Sequence, residues 1–333
     1  MVTVPVEKLI ASAITMVNPA ATEVAVMDAR QFVGDLARPD TLIRARWTSE
    51  DVTQIGQFLI KTRSSTEAAE EAALSDALVS SGIPVPRVLL VEPSAAGSFV
   101  VEEYVSGHAI AQSLIAALMR WELSALGFTY GRMLARIHAL EWAKVVPWMG
   151  DAEAAPESIV DDELDDSWAS WEEQISRIPD EYQPICNEAL AWLDERRPVE
   201  VSLCLCHGDF RPAHVLMADD DVLAVTGWGN ARVTDASYDL ALMPFDIRQL
   251  KLPDDDSDLL HQAIIGSYLQ ASNRSLGNLR FYAVARLLSA GLQSLDQGDR
   301  ATESIAAFSS DADELFAAMH DVMVPGRKPL WRA

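Results

Sequence analysis

Two short apolar runs, Val201-Ser202-Leu203-Cys204-Leu205-Cys206 and Val222-Leu223-Ala224-Val225, flank a polar segment that reads His207-Gly208-Asp209-Phe210-Arg211-Pro212-Ala213-His214. A carboxylate, two imidazoles and a guanidinium on one loop between strands are groups that accept, hold or orient a proton. Cys204 and Cys206 have the period of a strand, so both thiols share a face. A zinc site built from Cys204, Cys206 and His207 lacks a fourth ligand in the sequence. The cysteines, with Cys186, therefore read as buried thiols suited to a reducing, cytoplasmic compartment.

The chain that must position this loop has 333 residues, with 26 Lys and Arg against 50 Asp and Glu, a formal net charge of −24. Such an acidic balance argues against nucleic acid as a partner. The 49% hydrophobic content supports a large core in two domains or lobes. No apolar run approaches the roughly 18 residues of a membrane span, and Glu7 beside Lys8 does not suit the basic leader of a signal segment over 9–17.

Two textures divide the elements. Runs rich in β-branched and aromatic residues at 23–27, 41–47, 57–62, 87–91 and 98–103 predict an antiparallel sheet. One helix interrupts them, opened by the capping-box pair Ser64 and Glu67 and stopped at Gly82. A surface helix is predicted over 6–17. Beyond residue 108 helical periodicity dominates: two helices over 111–141 divided near Gly127, then 167–177, 181–196, 258–271, 277–296 and 303–323. His138 reads as a packing residue on this periodicity, and 143–166, with its DDELDD run, as a solvated connection. The fold class is α+β and bilobal, with a small antiparallel-sheet N-lobe at 1–103 and a large, mostly helical C-lobe at 104–333 that carries the loop segment 203–240.

The HGDFRPAH loop, the following hydrophobic strand ending in Gly227-Trp228, and Asp235, Asp239 and Leu240-Ala241-Leu242 resemble the catalytic segment of the aminoglycoside phosphotransferase and choline kinase family. LARIHAL at 134–140, IPVPRVL at 83–89 and FVVEEYVSG at 99–107 extend the resemblance over most of 57–242. It implies a protein-kinase-like fold and transfer of a phosphoryl group from ATP or GTP to a hydroxyl of a small molecule. By the same resemblance Lys61 pairs with a helix glutamate and contacts phosphate. Glu71 shares an inward stripe with Leu74 and Leu78, while Glu67 and Glu70 compete for the role. Asp209 takes the position of the catalytic aspartate, His207 and Arg211 support its loop, and backbone groups of Glu103 and Val105 serve the nucleotide base.

The metal positions depart from the family pattern. Where the family places an asparagine and an aspartate, this chain has His214 and Gly227. Glycine donates nothing and imidazole is a poor Mg²⁺ ligand, though it suits Mn²⁺, Zn²⁺ or Fe²⁺. The 28–41 stretch has only Gly34 for wrapping phosphate and sets Asp35 against it, and Asp219, Asp220 and Asp221 fall in a turn expected to face solvent. No metal site is therefore expected, and the favoured expectation is a pseudokinase or strongly weakened phosphotransferase that binds a small molecule and, if a pseudokinase, a protein partner. The alternative is an active ATP- or GTP-dependent phosphotransferase with atypical metal handling. A rearranged Asp235 or Asp239 could supply the missing ligand, or His214 could hydrogen-bond Asp209 and stand in for the ion as a partial cation.

Overall fold

The computed structural model describes residues 5–32, 40–95, 97–117, 119–218, 221–297 and 312–324. Gly34, Asp35, Asp219, Asp220 and the 303–311 part of the last expected helix lie outside the described residues. The chain divides into two compact units: residues 1–108 with 216–226, and residues 109–215 with 227–333.

The first unit begins with α1 (Val6–Val17), β1 (Thr22–Phe32), β2 (Asp40–Ser49) and β3 (Val52–Arg63), followed by α2 (Ser65–Ser80), β4 (Val88–Ser94) and β5 (Gly97–Glu103). The five strands form one antiparallel sheet in the order β1-β2-β3-β5-β4. Alternation sorts its residues onto two faces. Ile43, Ala45, Phe58, Ile60 and Val101 share a core with Leu9, Ile10, Ala13 and Ile14 of α1. α1 is the expected surface helix, with one side sealed against the sheet and Glu7, Lys8, Ser12 and Thr15 exposed on the other. The opposite face carries Leu59 and Lys61, whose β5 neighbours are Glu102 and Val100.

After β6 (His108–Ala109) come α3 (Ile110–Ala116), α4 (Arg120–His138), α5 (Trp142–Val145), α6 (Pro156–Ile175) and α7 (Gln183–Asp194). The loop region holds β7 (Leu203–Cys206), β8 (Val215–Ala218), β9 (Asp221–Val225) and β10 (Arg232–Asp235). The chain ends in α8 (Ser237–Leu240), α9 (Met243–Gln249), α10 (Asp254–Ala271), α11 (Leu279–Gln297) and α12 (Ala312–Met323). In the second unit, α6, α7, α11 and α12 enclose a core that includes Trp171, Leu193, Leu288 and Phe316. β9 belongs with the first unit, where Val225 N–H donates to Pro84 O at 2.8 Å.

Two helix expectations are corrected. α3 ends at Ala116, and α4 begins at Arg120 and runs unbroken through Gly127. A Cβ at Gly127 would stand 2.9 Å from Ala263 Cβ, and one at Gly131 2.3 Å from the Ile264 carbonyl oxygen. These glycines let α4 and α10 approach closely. Likewise the acidic DDELDD run is helical, because Val160 and Leu164, four apart, are buried on one side of α6 while Asp162, Asp165 and Asp166 are exposed.

Candidate active site

The His207–His214 loop leaves β7, which pairs antiparallel with β10 so that Cys206 faces Arg232 and Leu203 faces Asp235. A buried carboxylate braces it from behind. Asp239 accepts the backbone N–H groups of His207 at 2.7 Å and Gly208 at 2.8 Å. Its Oδ2 also lies 3.1 Å from His138 Nε2, and His138 Nδ1 lies 2.8 Å from the Tyr268 hydroxyl. Burial alone would raise the Asp239 carboxyl, yet hydrogen bonding and charge from His138, with His207 and Arg286, hold it below the ordinary range. Arg286 of α11 donates to the carbonyls of Gly208 and Tyr238, both at 2.9 Å. His138 is thus a polar brace rather than only a packing residue.

His207 is fully buried. Its ring lies 4.5 Å from that of Trp228, and its Nδ1 accepts the Asp209 N–H at 3.1 Å. Asp209 points into a basic group: Arg211 Nε and Nη2 meet its two carboxylate oxygens at 2.6 and 2.7 Å. His214 Nδ1 lies 2.8 Å from the Asp209 carbonyl oxygen and 3.5 Å from Oδ2. Burial would raise the Asp209 carboxyl, but His214, Arg211 and Arg286 together lower it, so it is ionised at neutral pH. Asp246 of α9 behaves oppositely, since burial pushes it up to about 7 despite Arg211 and Arg286.

The residues do not fit a magnesium ion. Gly227 is left-handed, with φ +83° and ψ 33°, and a Cβ there would meet His214 Nδ1 at 2.8 Å and Cε1 at 2.9 Å. The imidazole therefore fills the volume through which a carboxylate at 227 would extend. Asp209 spends its oxygens on Arg211. Asp239 is committed as above, and Asp235 accepts from Ser237 N–H, Ser202 N–H and Asn278 Nδ2 at 2.8, 2.9 and 3.1 Å. Neither carboxylate is free to replace the missing ligands.

In the first unit, Lys61 Nζ lies 2.7 Å from Glu71 Oε1. The competitors are otherwise placed: Glu67 completes the capping box with Ser64, and Glu70 is exposed. A second carboxylate, unforeseen from the sequence, also reaches the ammonium, with Glu102 Oε2 at 2.8 Å. The signal was available, since Glu102 and Val100 alternate onto the Lys61 face of the sheet. Burial would lower the Lys61 ammonium, but both glutamates raise it above its ordinary value. Glu103 N–H donates to Arg87 O at 3.0 Å, and Tyr104 N–H to Gln57 O at 3.1 Å, which fixes the backbone leading to Val105.

The thiols do not gather around His207. Among the described residues Cys204 and Cys206, with sulfurs 3.6 Å apart, lie near His138 instead, and both nitrogens of that ring already have partners. All three cysteines are free and buried.

A sequence profile of the phosphotransferase enzyme family matches residues 51–282. No curated protein matches the chain. Among solved structures, a putative aminoglycoside phosphotransferase from Ralstonia eutropha is similar at TM-score 0.64 and 16% identity, over 94% of this chain and 95% of that one. The macrolide 2'-phosphotransferase MphH from Brachybacterium faecium gives TM-score 0.52 and 19% identity over 92% and 93%. A thermostable mutant of aminoglycoside phosphotransferase APH(4)-Ia, in ternary complex with ADP and hygromycin B, gives 0.60 and 16% over 96% and 97%. The bilobal kinase-like expectation agrees with these folds.

Proposed function

Because the chain belongs to the phosphotransferase enzyme family, we propose that it is a nucleotide-binding member whose phosphoryl transfer is dormant or strongly weakened, a pseudokinase of small-molecule kinase descent. The observation that carries this reading is the His214 ring packed where a Gly227 side chain would begin. Phosphoryl transfer depends on preorganised positive charge around the moving group, and a bound divalent ion supplies much of it. In its place this chain sets Arg211 and His214 against Asp209.

Lys61 and Glu71 are the residues for nucleotide phosphate, and the backbone of Glu103 and Val105 those for its base. ATP and GTP are the candidate nucleotides, by likeness to relatives solved with ADP or GDP. Asp209 orients a hydroxyl of the small-molecule partner, and Arg211 holds that carboxylate in place. The solved relatives with kanamycin or hygromycin B make an amino sugar one candidate for that partner. Free thiols suit a cytoplasmic setting. No helix among the described residues is long and apolar enough to cross a membrane.

A second reading, an active transferase with atypical metal handling, draws support from the ionised Asp209 and the intact Lys61–Glu71 pair. Thermal shift with ATP or GTP, alone and with Mg²⁺ or Mn²⁺, separates the two. Dormancy predicts nucleotide stabilisation that metal leaves unchanged. Added stabilisation by metal, with phosphorylated product, favours the active enzyme.

A further inference from the structure

Holding a phosphate-binding lysine requires one carboxylate, and Lys61 has two. Glu71 reaches it from α2 and Glu102 from β5, at 2.7 and 2.8 Å. The group extends further, with Arg63 Nε 3.4 Å from the other oxygen of Glu71 and Arg63 Nη1 3.6 Å from Asp40. Two cations thus face three carboxylates. Glu102 is buried, with 8% of its surface exposed, so solvent screens this charge poorly.

Glu102 also holds a particular place. It is the residue before Glu103, on the strand that leads to the expected base-contacting backbone, and it shares the sheet face of Lys61. A carboxylate there lies between the groups for base and phosphate. It would meet a triphosphate as like charge, whereas a nucleoside brings no charge to oppose it.

This step rests on the reading of this face as a nucleotide site. We propose that Glu102 is a specificity-determining residue, whose carboxylate occupies Lys61 in place of phosphate oxygens and biases the site away from nucleoside triphosphates towards ligands without phosphate, such as nucleosides. Glu71 alone would position the ammonium, so Glu102 is dispensable for the lysine's placement.

Calorimetry on the full chain in EDTA, with ATP and adenosine as probes, tests this for wild type, Glu102→Gln and Glu102→Leu. Thermal melting of each variant checks that it is folded. Both substitutions should tighten ATP about tenfold or more and change adenosine by less than about threefold. An ATP affinity unchanged in both variants, or an equal gain for adenosine, overturns the proposal, as does ATP binding absent throughout. Metal is excluded, so dormancy is judged separately: product formation by wild type with Mg²⁺ would end that reading and leave the Glu102 result standing.

Discussion

At the scale of single residues, His214 and Gly227 act as one feature. Glycine at 227 makes room for the imidazole, and the imidazole leaves no room for anything larger. Lys61 and Asp209 stand out through the family resemblance, and Glu71 also through its helical spacing from Leu74 and Leu78. Arg286 could not be assigned from the sequence, because a charged residue in an apolar run shows its partner only after folding, and Glu102 shows only that it shares the Lys61 face of the sheet. Arg286 did interrupt an apolar helix, and its purpose became visible with the Gly208 and Tyr238 carbonyls beside it. Asp246 yields a pH prediction. Its carboxyl is raised to about 7 from an ordinary 3.8, so between those values the native state holds a proton that the unfolded state has lost. The contribution of this group to stability therefore falls as pH rises from 3.8 to 7 and stays low above. Asp246→Asn removes the penalty: its melting temperature should exceed wild type at pH 8, with an advantage that shrinks towards pH 4. An advantage independent of pH would contradict this account of Asp246.

At the scale of elements, the loop depends on helices that touch no ligand. α4 supplies His138 to Asp239, and α10 supplies Tyr268 to His138, so the close packing of α4 on α10 fixes the brace. Gly131 permits that packing. In an exposed helix Gly→Ala gains about 1 kcal/mol. Here the new methyl would press on the Ile264 carbonyl and Ser267 Oγ, at 2.3 and 2.2 Å. Gly131→Ala should instead destabilise by about 2 kcal/mol, as overpacking does, and denaturant unfolding would show it. A stabilised variant would mean that α4 and α10 can separate without cost. The sequence suggested a break at Gly127 because a helical glycine looks the same whether it ends a helix or seats another against it. The α6 acids misled for a related reason, since charge density outweighed the buried pair Val160 and Leu164. The antiparallel sheet and its interrupting helix, by contrast, followed from short β-branched runs and the capping box at Ser64.

At the scale of the whole molecule, the function proposed for this phosphotransferase family chain, with its net charge of −24, is to grip a nucleotide without holding a metal. Charge is distributed accordingly in each unit: Lys61 is countered by two glutamates, and Asp209 by Arg211 with His214 close by. The most direct measurement is the ratio of affinities for Mg²⁺–ATP and metal-free ATP, by calorimetry, in wild type and in the double variant His214→Asn with Gly227→Asp. The ratio should be near one in wild type and rise by about tenfold or more in the double variant, where a carboxylate gains the space the imidazole held. A wild-type protein that already prefers Mg²⁺–ATP by that factor would contradict the account.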